Sequence, residues 1–160
     1  MWLAFFRWAQ CPLCNFRIHE LVSVWADKFA RERMVMLAVF QSPAEKLAGL
    51  TERHRPPFRV IPDPEMQLYE LYGLGTSAAG LMGADVRRSL AGARAAGLPL
   101  VSMWDGPPLR TPADFLIDES GVIRVAYQGK NIADHIPFEA VTRFLGGRRE
   151  SARSDHSSTS

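Results

Sequence analysis

Cysteine is almost absent from this chain of 160 residues, which has only Cys11 and Cys14. So low a count excludes a disulfide framework of the kind that staples small secreted folds, and it excludes a four-cysteine zinc site. The four histidines, His19, His54, His135 and His156, show no ligand spacing, so no metal is expected. Lysine is scarce as well, with three residues against sixteen arginines, and the formal net charge is only +2. That balance is too small to imply nucleic acid or a membrane surface as partner, and the arginine excess reads as a bias of the coding DNA. No apolar run is long enough to span a bilayer. The first ten residues are apolar but carry neither a basic n-region nor a small-residue cleavage site, so they read as a strand. The expected compartment is the cytoplasm, where thiols stay reduced and a lone cysteine pair is more often catalytic or metal-binding than structural.

What remains is an ordinary globular composition, 47% apolar and 22% charged, enough for one domain with a core. Leu3 to Trp8 reads as a buried strand. Residues 12 to about 29 read as a helix, because Ile18, Leu21, Val22, Trp25 and Phe29 recur at helical spacing and Pro12 suits the first turn. Met34 to Phe40 has the near-continuous apolar character of a central parallel strand. Ser42-Pro43-Ala44-Glu45 has the form of a capping box opening a helix to about Arg53. A short strand follows at Phe58 to Ile61, then a short helix capped by Asp63-Pro64 and stopped at Gly73. Glycines punctuate residues 74 to 110, with one helix predicted from Ala84 to Ala96. Phe115 to Asp118 and Val122 to Tyr127 form a hairpin around Glu119-Ser120-Gly121, and Pro137 to Leu145 is a final helix. The domain is placed at residues 1–146, and the glycine, arginine and serine of 147–160 predict a disordered tail.

The order β-α-β-α-β-α, an insertion, then β-β-α predicts an α/β architecture of thioredoxin-like plan: a central mixed sheet flanked by helices, with a helical insertion before the C-terminal hairpin. Cys11 and Cys14 then stand where the first strand delivers the chain to a helix start. Unpaired N–H groups and the helix dipole favour a thiolate there, and the thiolate is the reactive form. One cysteine of a C-x-x-C pair attacks a substrate and the other resolves the intermediate into an internal disulfide. The position at the helix tip favours Cys11 as the attacking residue, with Cys14 resolving.

Three blocks carry a resemblance. Phe5-Phe6-Arg7 leads into Cys11-Pro12-Leu13-Cys14-Asn15, Ile61-Pro62-Asp63-Pro64 runs through to Leu71-Tyr72-Gly73, and Pro112-Ala113-Asp114 leads into Phe115-Leu116-Ile117-Asp118. Together, over residues 2 to 145, the chain resembles the peroxiredoxin-like branch of the alkyl hydroperoxide reductase/thiol-specific antioxidant family, of thioredoxin fold. The resemblance implies a thiol-dependent oxidoreductase acting on a hydroperoxide or disulfide, a thioredoxin- or glutathione-type electron donor, and no cofactor. It also implies a cis-proline at Pro112, so that Thr111 and Pro112 present backbone to the substrate. The family's P-x-x-x-T-x-x-C motif places Cys14 at the peroxide-attacking position, Cys11 at the threonine and Arg7 at the proline. The family's arginine falls near Pro112, with Arg110 close by. Family membership thus points to Cys14 as the attacking residue, opposite to the helix-end argument, and the usual peroxide-activating residues are missing. Three other readings stand beside the dithiol oxidoreductase: a true peroxidase using Cys14, a redox sensor or binding module without turnover, and a zinc-binding protein.

Other residues have plainer readings. Arg7 and Arg17 could lower a thiol pKa but read as solvated. His19 reads as surface, Asp134 as a helix cap and Trp8 as core. Asp114 is either a proton relay or a structural carboxylate, and Arg87, Arg88 and Arg94 read as one solvated helix face.

Overall fold

The computed structural model describes residues 1–76, 83–100 and 105–157, with side chains through residue 147. Five strands, β1 (Trp2–Phe5), β2 (Met36–Phe40), β3 (Arg59–Pro62), β4 (Ala113–Ile117) and β5 (Ile123–Gln128), form one sheet in the order β3-β2-β1-β4-β5. β1, β2 and β3 are parallel, while β4 runs antiparallel to both β1 and β5. The central strand β1 is buried throughout, which explains its unbroken apolar sequence. It is shorter than Leu3 to Trp8, yet its ladder with β2 goes on past Phe5: Phe6 N–H donates to Val39 O at 2.8 Å and Gln41 N–H to Arg7 O at 2.9 Å.

The helices are α1 (Pro12–Lys28), α2 (Ala44–His54), α3 (Gln67–Leu71), α4 (Ala84–Ala95) and α5 (Phe138–Ser157). Right-handed β-α-β crossovers put α1 and α2 on the same face. There Ile18, Leu21, Trp25, Leu47 and Leu50 share a core with Val141 and Leu145 of α5. Tyr69 of α3 covers the other face, against Phe5 and Phe115. The hairpin turns where expected, with Gly121 at φ +80° and the Asp118 carboxylate accepting from the N–H groups of Ser120 and Val122 at 2.9 and 3.0 Å.

Three local expectations give way. Ser42 does not cap α2, whose N-cap is Pro43. Its hydroxyl instead accepts from Ala9 N–H at 2.8 Å and donates to Asp105 Oδ2 at 2.7 Å, which ties three segments together. Asp134 does not cap α5; its carboxylate accepts from Tyr127 Oη at 2.6 Å and Lys130 N–H at 2.8 Å and closes the loop after β5. The chain after Gly146 differs from the expected tail as well, since α5 continues to Ser157. Each glycine costs a helix about 1 kcal/mol relative to alanine, and the arginines, glutamate and alanine that follow are good helix formers. The last three residues, and Gly80 of the insertion, lie outside the described residues.

α4 packs on α1 at a point where only glycine fits. A Cβ on Gly92 would overlap the ring of Phe16 at Cζ. Gly92→Ala is therefore expected to lower stability by about 1–3 kcal/mol through overpacking, read as a lower denaturation midpoint, with Phe16→Leu in the same chain restoring part of the loss.

Candidate active site

Cys11 is the N-cap residue of α1 and Pro12 its first helical residue. Its backbone is extended, at φ −63° and ψ 121°, which turns the sulfur back over the first turn. Cys11 Sγ accepts from the backbone N–H of Cys14 at 3.4 Å and from Arg7 Nη1 at 3.6 Å. Both thiols are free, and both are buried, at 0% and 2% exposure. Cys14 Sγ accepts from the backbone N–H of Arg7 at 3.4 Å.

The two sulfurs differ electrostatically. Burial works to raise the Cys11 thiol, but a hydrogen bond from the Cys14 thiol, the Arg7 charge and the N–H groups of Cys14 and Leu13 outweigh it, and the group falls from 9.0 to about 7. Cys14 goes the other way. Burial raises it most, and its hydrogen bond to Cys11 and the Cys11 charge add to that. The surroundings thus favour a negative charge on Cys11 over one on Cys14.

Arg7 is central to this arrangement and is not the solvated side chain its sequence context suggests. It is 5% exposed. Its guanidinium lies 4.2 Å from the Trp8 ring centroid, and Nη2 donates to Pro108 O, so one arginine reaches both the sulfur and the segment that covers it. The loop that presents Cys11 is fixed from behind by Asn15. Its Nδ2 donates to Ala9 O at 2.7 Å and Cys11 O at 3.0 Å, and His54 Nε2 lies 3.0 Å from Asn15 Oδ1. Burial, then the charges of Arg53 and His19, push His54 down to about 4, so it is neutral at pH 7 and donates to the amide. Nothing in the spacing of Asn15 and His54, 39 residues apart, announces this contact.

The other expected residues take structural places. No peptide bond among the described residues is cis, so Thr111–Pro112 is trans, the isomer an X–Pro bond prefers by about 0.5–1 kcal/mol. Pro112 is buried, and its carbonyl accepts from Gly129 N–H at 2.9 Å, while Thr111 is half-buried. Pro112 directly precedes Ala113, which pairs with Phe5 at the end of β1 that leads to the cysteine loop. Arg110 donates to Leu74 O and lies 5.1 Å from the Tyr69 ring centroid. Arg17 donates to Ile136 O at 2.6 Å and stacks on Phe138 at 4.0 Å. His19, Arg87, Arg88 and Arg94 are exposed, and Trp8 is core. His135 pairs with Asp114, not with its neighbour Asp134: Nδ1 lies 3.0 Å from Asp114 Oδ2. Asp114 is fully buried and also accepts from Trp2 Nε1 at 2.8 Å and Ile136 N–H at 3.0 Å, which makes it a cross-link within the core. A pocket of about 290 Å³ opens behind the cysteine loop, lined by Gln10, Asn15, Lys46 and Arg53 among others, but neither sulfur lines it. Among the described residues no three His, Cys, Asp or Glu side chains gather as metal ligands, and no helix is long and apolar enough to cross a membrane.

Solved structures share this fold at low sequence identity. The Xanthomonas campestris bacterioferritin comigratory protein superposes with a TM-score of 0.60 at 13% identity, over 92% of this chain and 79% of its own. The peroxidoxin BcpB of Mycobacterium tuberculosis gives 0.57 at 14%, over 93% and 79%. A thiol peroxidase from Chromobacterium violaceum gives 0.60 at 12%, over 92% and 71%. No curated protein matches the chain by sequence. The AhpC/TSA family model matches residues 1–126, which span β1 to β5 and include both cysteines, and the chain belongs to that family of thiol-dependent oxidoreductases.

Proposed function

We propose that this protein reduces hydroperoxides, and disulfides by the same chemistry, through a Cys11–Cys14 dithiol in which Cys11 attacks and Cys14 resolves. The observation that carries the reading is the division of charge between the two sulfurs: Cys11 caps α1 against Arg7 and is lowered to about 7, while Cys14 is raised. The attacking and resolving groups of such a pair need these opposite states.

In the first step the Cys11 thiolate attacks the terminal oxygen of a hydroperoxide. The S–O bond forms as the O–O bond breaks, the sulfur is oxidised to sulfenic acid, and an alcohol or water departs after taking up a proton. Cys14 then attacks the Cys11 sulfur and forms the internal disulfide, and the sulfenic oxygen leaves as water. With a disulfide substrate the first step gives a mixed disulfide and a free thiol, and the second is unchanged. An external thioredoxin- or glutathione-type thiol returns two electrons to the pair. Cys14, at the family's attacking position, becomes the resolving residue because burial and the neighbouring Cys11 sulfur keep it protonated. Thr111 and Pro112, which lead into β4 where it pairs with the end of β1, border the substrate. The cycle uses no metal or organic cofactor, suits a reducing compartment such as the cytoplasm, and needs residues 1–146 only.

The rate of alkylation of the reduced protein by iodoacetamide against pH tests this order. A midpoint near 7 on Cys11 is expected. Arg7→Met removes the cation beside the sulfur, disfavours the thiolate, and moves that midpoint up by about one unit or more. A wild-type midpoint at the ordinary thiol value of 9.0 would contradict the charge division.

A further inference from the structure

Gln41 continues the chain just past β2, where its N–H donates to Arg7 O at 2.9 Å. An unbroken Phe5↔Val39 register would take that N–H to Phe6 O, so the two strands slip by one residue here. The side chains of Gln41 and Arg7 nevertheless meet one segment. Arg7 Nη2 donates to Pro108 O, and a Cβ on Gly106 would stand 3.0 Å from Gln41 Cδ and Oε1. Asp105 holds the same segment down through Ser42 and Lys46.

Gln41 is 0% exposed, yet among the described residues neither end of its amide, Oε1 or Nε2, has a hydrogen-bond partner, and neither has the buried Nε of Arg7. Leaving an amide unpaired inside a protein is costly, and such groups are retained where something other than packing needs them. These orphan groups, two donors and one acceptor, occur beside the arginine whose Nη1 touches Cys11 Sγ.

We infer that Gln41, with Arg7, forms the subsite that holds the hydroperoxide group against Cys11. The inference rests on the proposed reading of Cys11 as the attacking residue. A hydroperoxide is both donor and acceptor: the terminal oxygen carries the proton and both oxygens carry lone pairs. An amide can answer both at once, Oε1 accepting the O–H while Nε2 donates to an oxygen. Arg7 Nε–H then faces the oxygen that leaves, where negative charge develops as the O–O bond breaks. A disulfide has no such proton, so Gln41 selects for peroxide over disulfide. The amide supplies here the donor and acceptor that a threonine hydroxyl would give at position 11, where the chain has cysteine.

Gln41→Leu tests this, with three readouts on the reduced protein: the second-order rate with hydrogen peroxide, the alkylation rate with iodoacetamide at the same pH, and Tm. The peroxide rate is expected to fall about 100-fold, the loss typical of removing one donor at a developing charge. Alkylation is expected to stay within about threefold, since the Cys11 thiolate is untouched. Tm is expected to rise, by about 2–4 °C, because an unpaired amide gives way to an apolar group of similar size. A residue with a merely structural role would lower Tm and slow both reactions together. Gly106→Ala, which presses a Cβ onto the amide, provides a second variant with the same selective loss. A peroxide rate within about threefold of wild type in both variants, or peroxide and alkylation rates falling in step, would overturn the assignment. If wild-type Cys11 itself reacts with peroxide no faster than a free thiol, the reading beneath it fails as well, and the two failures are told apart by that first measurement.

Discussion

Cys11→Ser is expected to abolish turnover of hydroperoxide and disulfide alike, by at least about 10³-fold in kcat/KM. A serine hydroxyl at the α1 N-cap can still cap the helix, so the fold survives, but no thiolate remains to attack. Cys14→Ser is expected to behave differently. Cys11 keeps its helix end and Arg7, so the first attack proceeds and one equivalent of substrate is consumed. Turnover then stops with sulfenic acid or a mixed disulfide on Cys11, because no thiol one helical turn away closes the pair. The Cys14 thiol is the largest of the groups that lower Cys11, and a serine hydroxyl in its place still offers a donor to that sulfur. Single-turnover and steady-state rates measured on both variants separate the roles. A Cys11→Ser variant that still consumed one equivalent of peroxide at the wild-type rate would reverse them.

The largest stability effect is expected far from the sulfurs, at Asp114. Its carboxylate serves Trp2 Nε1, His135 Nδ1 and Ile136 N–H, and so joins β1, β4 and the segment that leads into α5. Asp114→Ala leaves three buried donors without an acceptor and is expected to cost about 3–5 kcal/mol, read by urea denaturation. A loss under about 1 kcal/mol would show that water or neighbouring groups replace the carboxylate. Burial by itself would raise the Asp114 carboxyl, but the charge and hydrogen bond of His135, the charge of Arg17 and the Ile136 N–H hold it below the ordinary carboxylate value of 3.8. The folded state therefore binds this proton less readily than the unfolded chain does. The resulting stabilisation is fully present above the unfolded value and is lost as pH falls through the depressed folded one. The stability gap between wild type and Asp114→Asn is expected to be constant near neutrality and to narrow only below about pH 4.

Much of this was legible in the sequence because the governing forces are local. The apolar run of β2, Pro12 behind a capping residue and Gly121 in the hairpin each name their element without tertiary help. The place of the two cysteines at the start of α1 was legible for the same reason, since strand, loop and helix start are contiguous. What sequence reading missed is held across the sheet. Arg7 looks like any surface arginine until β1 and β2 pair and the segment around Pro108 closes over it. Gln41 and Asn15 carry no pattern, and their meaning comes from partners 34 and 39 residues away, or from the lack of one. Ser42 read as a cap because Ser-Pro-Ala-Glu satisfies that local rule, but the long-range bonds to Ala9 and Asp105 took its hydroxyl instead. The expected cis-proline came from the resemblance rather than from the residues, and the chain holds that bond trans.

The most direct test is to find which sulfur is modified first. The fully reduced protein is treated with substoichiometric hydrogen peroxide in the presence of a sulfenic-acid trap, digested, and mapped by mass spectrometry. Trap carried by Cys11, with Cys14 unlabelled, is the expected result. Trap on Cys14, with Cys11 as the thiol that later displaces it, would contradict the division of charge between the two sulfurs and return the attacking role to Cys14.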